Sequence, residues 1–572
     1  MLRRGVAAAA VAAGGLGVAG VYKHENDEGF RRAVALYSRA LPAVAHYRFV
    51  QARHRLQGDG LSEEEKQQEW LALDEKYSDG IVDMVKELKG MYTKYGQIGA
   101  GLRNTLSDVW LEKLRELEDS VPPQPLSVVR ATIEEDLGKP LEEVFSVFEE
   151  QPLGSASIGQ VHRAKLRGRE REGWVAVKVQ YPDSQKLFRQ DMLTIRGFME
   201  LAAPEQVIIL DELERSFERE FDYNCEASNL EMVSHNLRGP EFERDIRVPR
   251  PHFSTPRVLV MDYLKGEKLI DGIRAYGKVV AEQEGKSFEA FETEMKERIL
   301  QEGLPSRYDG PSGAQIALYA GALRLRDGAA NVFISAWNTL TGSHVQAWHT
   351  PRPPNAPRMM DVLMRVHGKQ LLVDGCFNAD PHSGNFLWLE DDRIGLIDFG
   401  ATKILAREER LAACMLYATL YKQDKERLID MVRVSGYRSK YFDQDVIYQL
   451  VRFGFDDFSQ DVLKGKNIQT FMDDLYARDP WHESPDNLTM AQFLSIRLRG
   501  VGMSMLFPVR CSEYWGPLAL QVLEDEGLPY ETWDAAQMQE IFGKKLNMAK
   551  GSTLESWGAS FKRWFTGSSS SD

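Results

Sequence analysis

The residues of this chain whose types and spacing could do chemistry lie between 375 and 400. There Gly375-Cys-Phe-Asn-Ala-Asp-Pro-His-Ser-Gly-Asn-Phe-Leu is followed by Ile394-Gly-Leu-Ile-Asp-Phe-Gly. Asp380, Asn385 five residues on, a short hairpin and then Asp398-Phe-Gly reproduce the paired loops of a kinase catalytic site. Asp380 suits a group that accepts a hydrogen bond from, or deprotonates, an attacking hydroxyl or water. Asn385 and Asp398 offer hard oxygens to a Mg2+ ion bridging the phosphates of ATP. Gly400 permits the turn that aims Asp398 inward. Asp-Phe-Gly alone is a weak signal; with Asp380 and Asn385 at this interval it is a strong one. His382 reads as a brace for the turn rather than as an acid or base.

Upstream, Val175-Ala-Val-Lys places Lys178 on a strand, the usual position of a phosphate-pairing lysine, although a lysine ending a strand is more commonly a solvated edge residue. The helical Glu that should orient it is Glu226, at an interval longer than in ordinary protein kinases. Two absences matter as much. No G-x-G-x-x-G precedes Lys178; Pro152-Leu-Gly-Ser-Ala-Ser-Ile-Gly-Gln-Val-His stands in its place, a stiffer loop with fewer amides for phosphate. No Ala-Pro-Glu follows Asp398-Phe-Gly, so a platform for protein substrates is expected to be missing.

These residues need elements to hold them. Residues 26–125 read as a helical extension, with Ile81, Val82, Met84, Val85, Leu88, Met91, Tyr92, Tyr95 and Ile98 at helical spacing, ended by Ser120-Val-Pro-Pro-Gln-Pro. Residues 126–269 read as a small lobe with strands at Val175-Ala-Val-Lys-Val-Gln and Arg257-Val-Leu-Val-Met-Asp-Tyr-Leu. Residues 270–358 read as an insertion with helix over Phe288–Gln301 and Ala314–Arg324 and a mobile, proline-rich end. Residues 359–549 read as a helix-rich lobe with two short strands near Phe386 and Arg393, and 550–572 as a tail.

Composition sets the outer bounds. The 572 residues are 43% hydrophobic and 27% charged, which is globular. Lys+Arg 71 against Asp+Glu 85 gives a net charge of −14, which argues against nucleic acid as a partner. The first 60 residues hold nine basic and four acidic side chains, a net of +5, which leaves −19 on the remainder. With the uncharged run from Gly5 to Tyr22, residues 1–25 read as an organellar targeting or weak membrane segment, mitochondrial rather than plastid. Cys225, Cys376, Cys414 and Cys511 are dispersed and read as reduced, mostly buried thiols.

The chain resembles the UbiB family, the aarF-domain-containing atypical kinases, over about residues 80–270 and 360–510. The motifs that carry the resemblance are Lys94-Tyr95-Gly96-Gln97 for K-x-G-Q, Gly154-Ser155-Ala156-Ser157 with Ile158-Gly159-Gln160-Val161-His162 for the small-residue loop, and Glu220-Phe221-Asp222 for E-x-D. The resemblance implies that Lys94, Gly96, Gln97, Glu220 and Asp222 regulate the site, the K-x-G-Q helix packing where a protein substrate would otherwise lie. It departs at Gly154 and Ser155, where Ala-rich members have Ala, at Asn378, often His, and at Ser383, often Pro.

The expected fold is α+β, an atypical protein-kinase-like bilobal fold with an N-terminal helical extension and a helix-rich C-lobe. ATP and Mg2+ are the expected cofactors. Gly154, Ser155, Ala156, Ser157 and Lys178 would hold phosphates, and Met261, Asp262, Tyr263 and Leu264 the adenine. Asp380, Lys178 and Glu226 form the catalytic set, and Asn385 and Asp398 the metal ligands. The expected activity is ATP hydrolysis or phosphorylation of a small or lipid molecule, and the family resemblance implies coenzyme Q biosynthesis or lipid homeostasis at the mitochondrial inner membrane, with membrane association and a lipid or quinone-precursor ligand. The rival readings are a small-molecule phosphotransferase of the choline/aminoglycoside-kinase type, which lacks K-x-G-Q, and a nucleotide-binding scaffold without turnover.

Overall fold

The computed structural model describes residues 28–57, 63–101, 107–115, 123–155, 158–202, 219–302, 310–464, 468–483 and 488–542. The targeting segment 1–25, Ala156, Ser157 and the tail 550–572 lie outside the described residues. The chain divides into two compact units. One takes the residues up to Asp222 together with Thr255–Leu259, and the other takes Tyr223–Ser254 and the described residues from Val260 onward.

In the first unit, helices Glu28–Gln57, Glu63–Leu88, Gly90–Gly101 and Asp108–Arg115 precede any strand. Their apolar stripes and that of Ser184–Ala202 close on one core, which includes Leu36, Val82, Val85, Tyr92, Phe188 and Met192. A buried ion pair fixes the register of two of them. Arg32 donates from Nε and Nη2 to both carboxylate oxygens of Asp191, at 2.8 and 2.6 Å. Lys89 and Gly90 both have φ +55°, and this double left-handed step separates Glu63–Leu88 from Gly90–Gly101.

The sheet of this unit is antiparallel. Strands β1 (Phe145–Phe148), β2 (Gly154–Ser155), β3 (Gly159–Leu166) and β4 (Val175–Gln180) are arranged so that β3 pairs with β1, β2 and β4. In β4 every residue except Lys178 is buried, in keeping with the β-branched, mostly apolar Val-Ala-Val-Lys-Val-Gln. The two-residue spacing in Gln160-Val-His162 puts two polar side chains on one buried face. Gln160 exchanges hydrogen bonds with the Gln124 backbone and donates to His162, whose Nδ1–H reaches Glu149 O at 2.8 Å.

The second unit holds β5 (Ile246–Arg247), β6 (Pro251–Ser254), most of β7 (Val258–Asp262), β8 (Gly266–Lys268), β9 (Cys376–Asn378), β10 (Phe386–Leu389), β11 (Ile394–Leu396) and β12 (Thr402–Ile404). A four-stranded sheet runs β5-β11-β10-β8. Its main core lies between the helices Arg407–Lys422 and Cys511–Asp525, where Leu411 through Leu420 are all buried along with Trp515, Ala519 and Leu523. The insertion is more helical than its composition suggests. Helices occupy Leu269–Gln283, Phe288–Glu302 and Gly313–Thr341, the last extending well past Arg324. A Ser312/Gln315 capping box starts that helix and Gly342, φ 69°, ends it. Helix Ala356–Gly368 runs on into a wider π-turn over residues 369–374 before β9.

Candidate active site

Two strand pairings bring Asp380, Asn385 and Asp398, the three motif residues of the second unit, together. In β9–β12 Asn378 stands opposite Thr402, so the chain leaving one strand lies beside the chain entering the other, and Ala379 N donates to Ala401 O at 3.0 Å. In the β10–β11 hairpin Phe386 stands opposite Leu396, and Ile397 N donates to Asn385 O at 3.2 Å. The first pairing sets the loop of Asp380 against that of Asp398, and the second sets Asn385 next to Asp398.

Side-chain amides then lock the loops. Buried Asn378 accepts from Asp380 N at 2.8 Å through Oδ1 and donates from Nδ2 to Asp398 O at 2.9 Å. Asn385, also buried, donates to Asp380 O at 3.1 Å. Gly400 N donates to Asp398 Oδ1 at 3.0 Å, the turn expected of that glycine. The carbonyl of buried Phe399 accepts from Thr402 Oγ1 at 2.7 Å and from Asn229 Nδ2 at 2.9 Å, which ties Asp-Phe-Gly to helix Tyr223–Asn236. His382 is exposed, and its Nδ1 accepts from Gly384 N at 3.1 Å, so it braces the turn.

Asn378 is more than the departure from a family histidine that its sequence position suggests, since it supplies the link between the two carboxylate loops. A second participant was invisible in sequence. Arg497, on helix Thr489–Ser504, forms an ion pair with Asp380 Oδ1. It lies 117 residues from Asp380 with no motif around it, so only the fold reveals it.

The remaining expected residues are distributed as follows. Lys178 is half-buried in β4 of the first unit, opposite Val161 of β3. Glu226 is on the first turn of Tyr223–Asn236 in the second unit, only 3% exposed. Gly154 and Ser155 form β2, and Ser155 Oγ meets the Tyr181 hydroxyl at 2.5 Å. Met261 and Asp262 end β7, followed by Tyr263 and Leu264; Asp262 accepts from His252 Nε2 at 3.0 Å and from Arg250 N at 3.2 Å. Glu220 lies in a 3-10 turn with Phe221, whose ring packs on Phe188, and Asp222 closes the first unit. Lys94, Gly96 and Gln97 lie on helix Gly90–Gly101. Gly96 is buried, and the side chains of Lys94 and Gln97 are outside the described residues.

The donor set fits a hard cation of the magnesium type. Asn385 and Asp398 offer amide and carboxylate oxygens, and Mg2+ characteristically takes one or two protein oxygens and completes its octahedron with water and phosphate. Among the described residues no cluster of three or more His, Cys, Asp or Glu suits a metal held by protein alone.

The ABC1 atypical kinase-like domain matches residues 116–297 and 340–432 of this chain. The chain is similar to the Arabidopsis thaliana protein Activity of BC1 complex kinase 8, chloroplastic, at 32% identity over 39% of this chain and 30% of that protein. It is 25% identical to Activity of BC1 complex kinase 1, chloroplastic, of the same plant, over 76% of this chain and 50% of that one. AarF domain-containing protein kinase 1 of Xenopus laevis is 26% identical over 61% of this chain and 54% of that protein. The chain therefore spans between 30% and 54% of the length of these curated relatives. The matched domain, the α+β architecture and the paired Asp380 and Asp398 loops agree, and the chain carries an ABC1 atypical kinase-like domain, consistent with the UbiB group its motifs resemble.

Proposed function

We propose that this protein is an ATP-dependent atypical kinase or ATPase that acts on a small or lipid molecule. The observation that carries this reading is the bonded set Asp380–Asn378–Asp398 with Asn385 locked to the Asp380 backbone. ATP with Mg2+ would supply the phosphoryl group, and Asn385 and Asp398 would hold the metal. Asp380 would orient the attacking hydroxyl or water and receive its proton. Lys178 would hold the phosphates, and Glu226 would orient it. Gly154, Ser155, Ala156 and Ser157 would cradle phosphate, with Met261 to Leu264 against adenine. Lys94, Gly96, Gln97, Glu220 and Asp222 would restrain the site.

A small substrate is favoured because only β12 separates Phe399-Gly400 from the helix at Arg407, which leaves little chain for a peptide platform. The biological setting proposed is mitochondrial, in coenzyme Q biosynthesis or lipid homeostasis at the inner membrane. The plastid is the alternative, and two of the relatives are named as chloroplastic. A scaffold reading has one observation of its own, the Arg497 charge on Asp380.

The test is Mg2+-dependent ATP binding and turnover by the purified chain, with and without anionic liposomes and quinone-precursor mimics. Asp398→Asn is expected to abolish the magnesium dependence of binding; retained dependence would remove Asp398 as a ligand. Absence of turnover under every condition, with binding intact, would leave the scaffold.

A further inference from the structure

The helix Gly313–Thr341 and the segment after it, Gly342–Thr350, form one hairpin held by side chains gripping backbone. Asn338 donates to Val345 O at 2.8 Å and accepts from Val345 N at 2.9 Å. Asn331 makes the same pair of bonds to Trp348, at 2.8 and 2.5 Å. Asp327 accepts from Thr350 N at 2.6 Å and from its hydroxyl at 3.1 Å. Asp327, Asn331 and Asn338 stand four and seven residues apart, hence on one helix face, and that face is taken up by the returning chain.

The face left over is apolar. Leu318, Leu325, Val332, Phe333, Trp337 and Leu340 recur at spacings of three, four and seven and are all exposed, Leu325 at 78%, Phe333 at 76% and Leu340 at 84%. Val345 and Trp348 on the returning segment are also exposed. Asp327 is the one buried residue of the helix. Isolated helices in water draw most of their stability from packing an apolar face, and among the described residues this chain supplies nothing to pack on that stripe.

Charge identifies the missing surface. From Gly328 through Pro351 the sequence contains no Asp, Glu, Lys or Arg, in a chain that is 27% charged. The base of the hairpin carries Arg324, Arg326 and Arg352; Asp327 pairs with Arg326 at 2.8 Å and Asp392 with Arg352 at 3.4 Å, and Arg324 is exposed there. An uncharged tip with two exposed tryptophans above a base that presents Arg324 and Arg326, on a chain of net −14, complements an anionic bilayer: tryptophan rings favour the headgroup level and arginines the phosphates. A protein partner would instead call for a polar rim around the apolar centre, and here the rim is cationic at one end only. From Gly328 to Thr341 the helix is about 20 Å long at 1.5 Å per residue, too short for a bilayer core of about 30 Å. Among the described residues no helix is long and apolar enough to cross a membrane.

We propose that this hairpin is a monotopic membrane anchor. Residues 328–348 lie in the headgroup boundary of an anionic phospholipid bilayer, the apolar stripe faces the acyl chains, and Arg324 and Arg326 sit at the phosphates. The inference stands apart from the active-site reading, since it uses none of the residues of that site and the matched ABC1 domain omits residues 298–339, which hold most of helix Gly313–Thr341.

Hydrogen exchange of the full chain, read by mass spectrometry, tests it with phosphatidylcholine vesicles and with vesicles containing one quarter phosphatidylglycerol. Peptides within 328–348 are expected to exchange at least tenfold more slowly with the anionic vesicles. The triple variant Phe333→Ser, Trp337→Ser, Leu340→Ser should lose that protection while its circular dichroism is unchanged, and Arg324→Ser should lower vesicle affinity in a salt-dependent way. Unchanged exchange in 328–348 overturns the proposal. So does protection that appears without lipid and depends on protein concentration, which would assign the stripe to a second copy or another protein.

Discussion

At the scale of single residues, the site rests on neutral amides more than on its charges. Buried Asn378 makes two partly buried hydrogen bonds, one to each carboxylate loop. Deleting it leaves the half-buried Asp380 N–H and Asp398 C=O without this partner, so Asn378→Ala should cost about 1–3 kcal/mol of stability in denaturant titration. Asn378→His keeps a donor and an acceptor and should lose less. Arg497 is different: both it and Asp380 are about a third exposed, at 36% and 30%. Arg497→Gln should therefore shift stability by no more than about 1 kcal/mol. With Oδ1 of Asp380 released, ATP turnover should rise severalfold without a matching change in nucleotide affinity; unchanged turnover would reduce the pair to a surface contact. The sequence exposes Asp380, Asn385 and Asp398 because their spacing is local and set by one hairpin. It hides Arg497 because that contact is made by tertiary packing alone.

At the scale of elements, two buried features should dominate. Helix Cys511–Asp525 approaches Arg407–Lys422 so closely that a Cβ on Gly516 would overlap Tyr421. Gly516→Ala should cost at least about 1–3 kcal/mol and lower the thermal midpoint. His367, at the end of helix Ala356–Gly368, is fully enclosed, donates from Nδ1 to Leu363 O at 2.8 Å and packs edge-on to Phe386. Burial pushes its imidazole down to about 4. The folded state thus resists a proton that the unfolded chain accepts near pH 6.5. The stability it contributes is complete above that pH and is lost as pH falls toward 4, about 3 kcal/mol in all. His367→Gln should flatten the acid limb between pH 6.5 and 4 by close to one proton, measured as the pH slope of unfolding free energy.

The strands and the amphipathic helices were legible because their periods differ: Val175–Gln180 reads as a buried strand, and the stripe from Ile81 onward as a helix. The insertion was harder. Its glycines and polar residues, which suggest loop, are partly the Asn and Asp side chains that bind the returning chain, and periodicity does not register such bonds.

At the scale of the whole molecule, a ligand that binds only the folded state stabilises all of it. Mg-ATP at about 100 times its dissociation constant should add about 2.7 kcal/mol and raise the thermal midpoint of the full chain. Asp398→Asn should show no such magnesium-dependent rise.

The four thiols supply a further consequence. Cys376, Cys414 and Cys511 are buried, and burial pushes them up to about 11, 12 and 12, far from the thiolate form that alkylating reagents attack. Cys225 is exposed and adjoins Glu226. The unmodified chain therefore accepts a maleimide fluorophore at a single position beside the carboxylate proposed to orient Lys178, and nucleotide binding can be followed optically without any engineered cysteine.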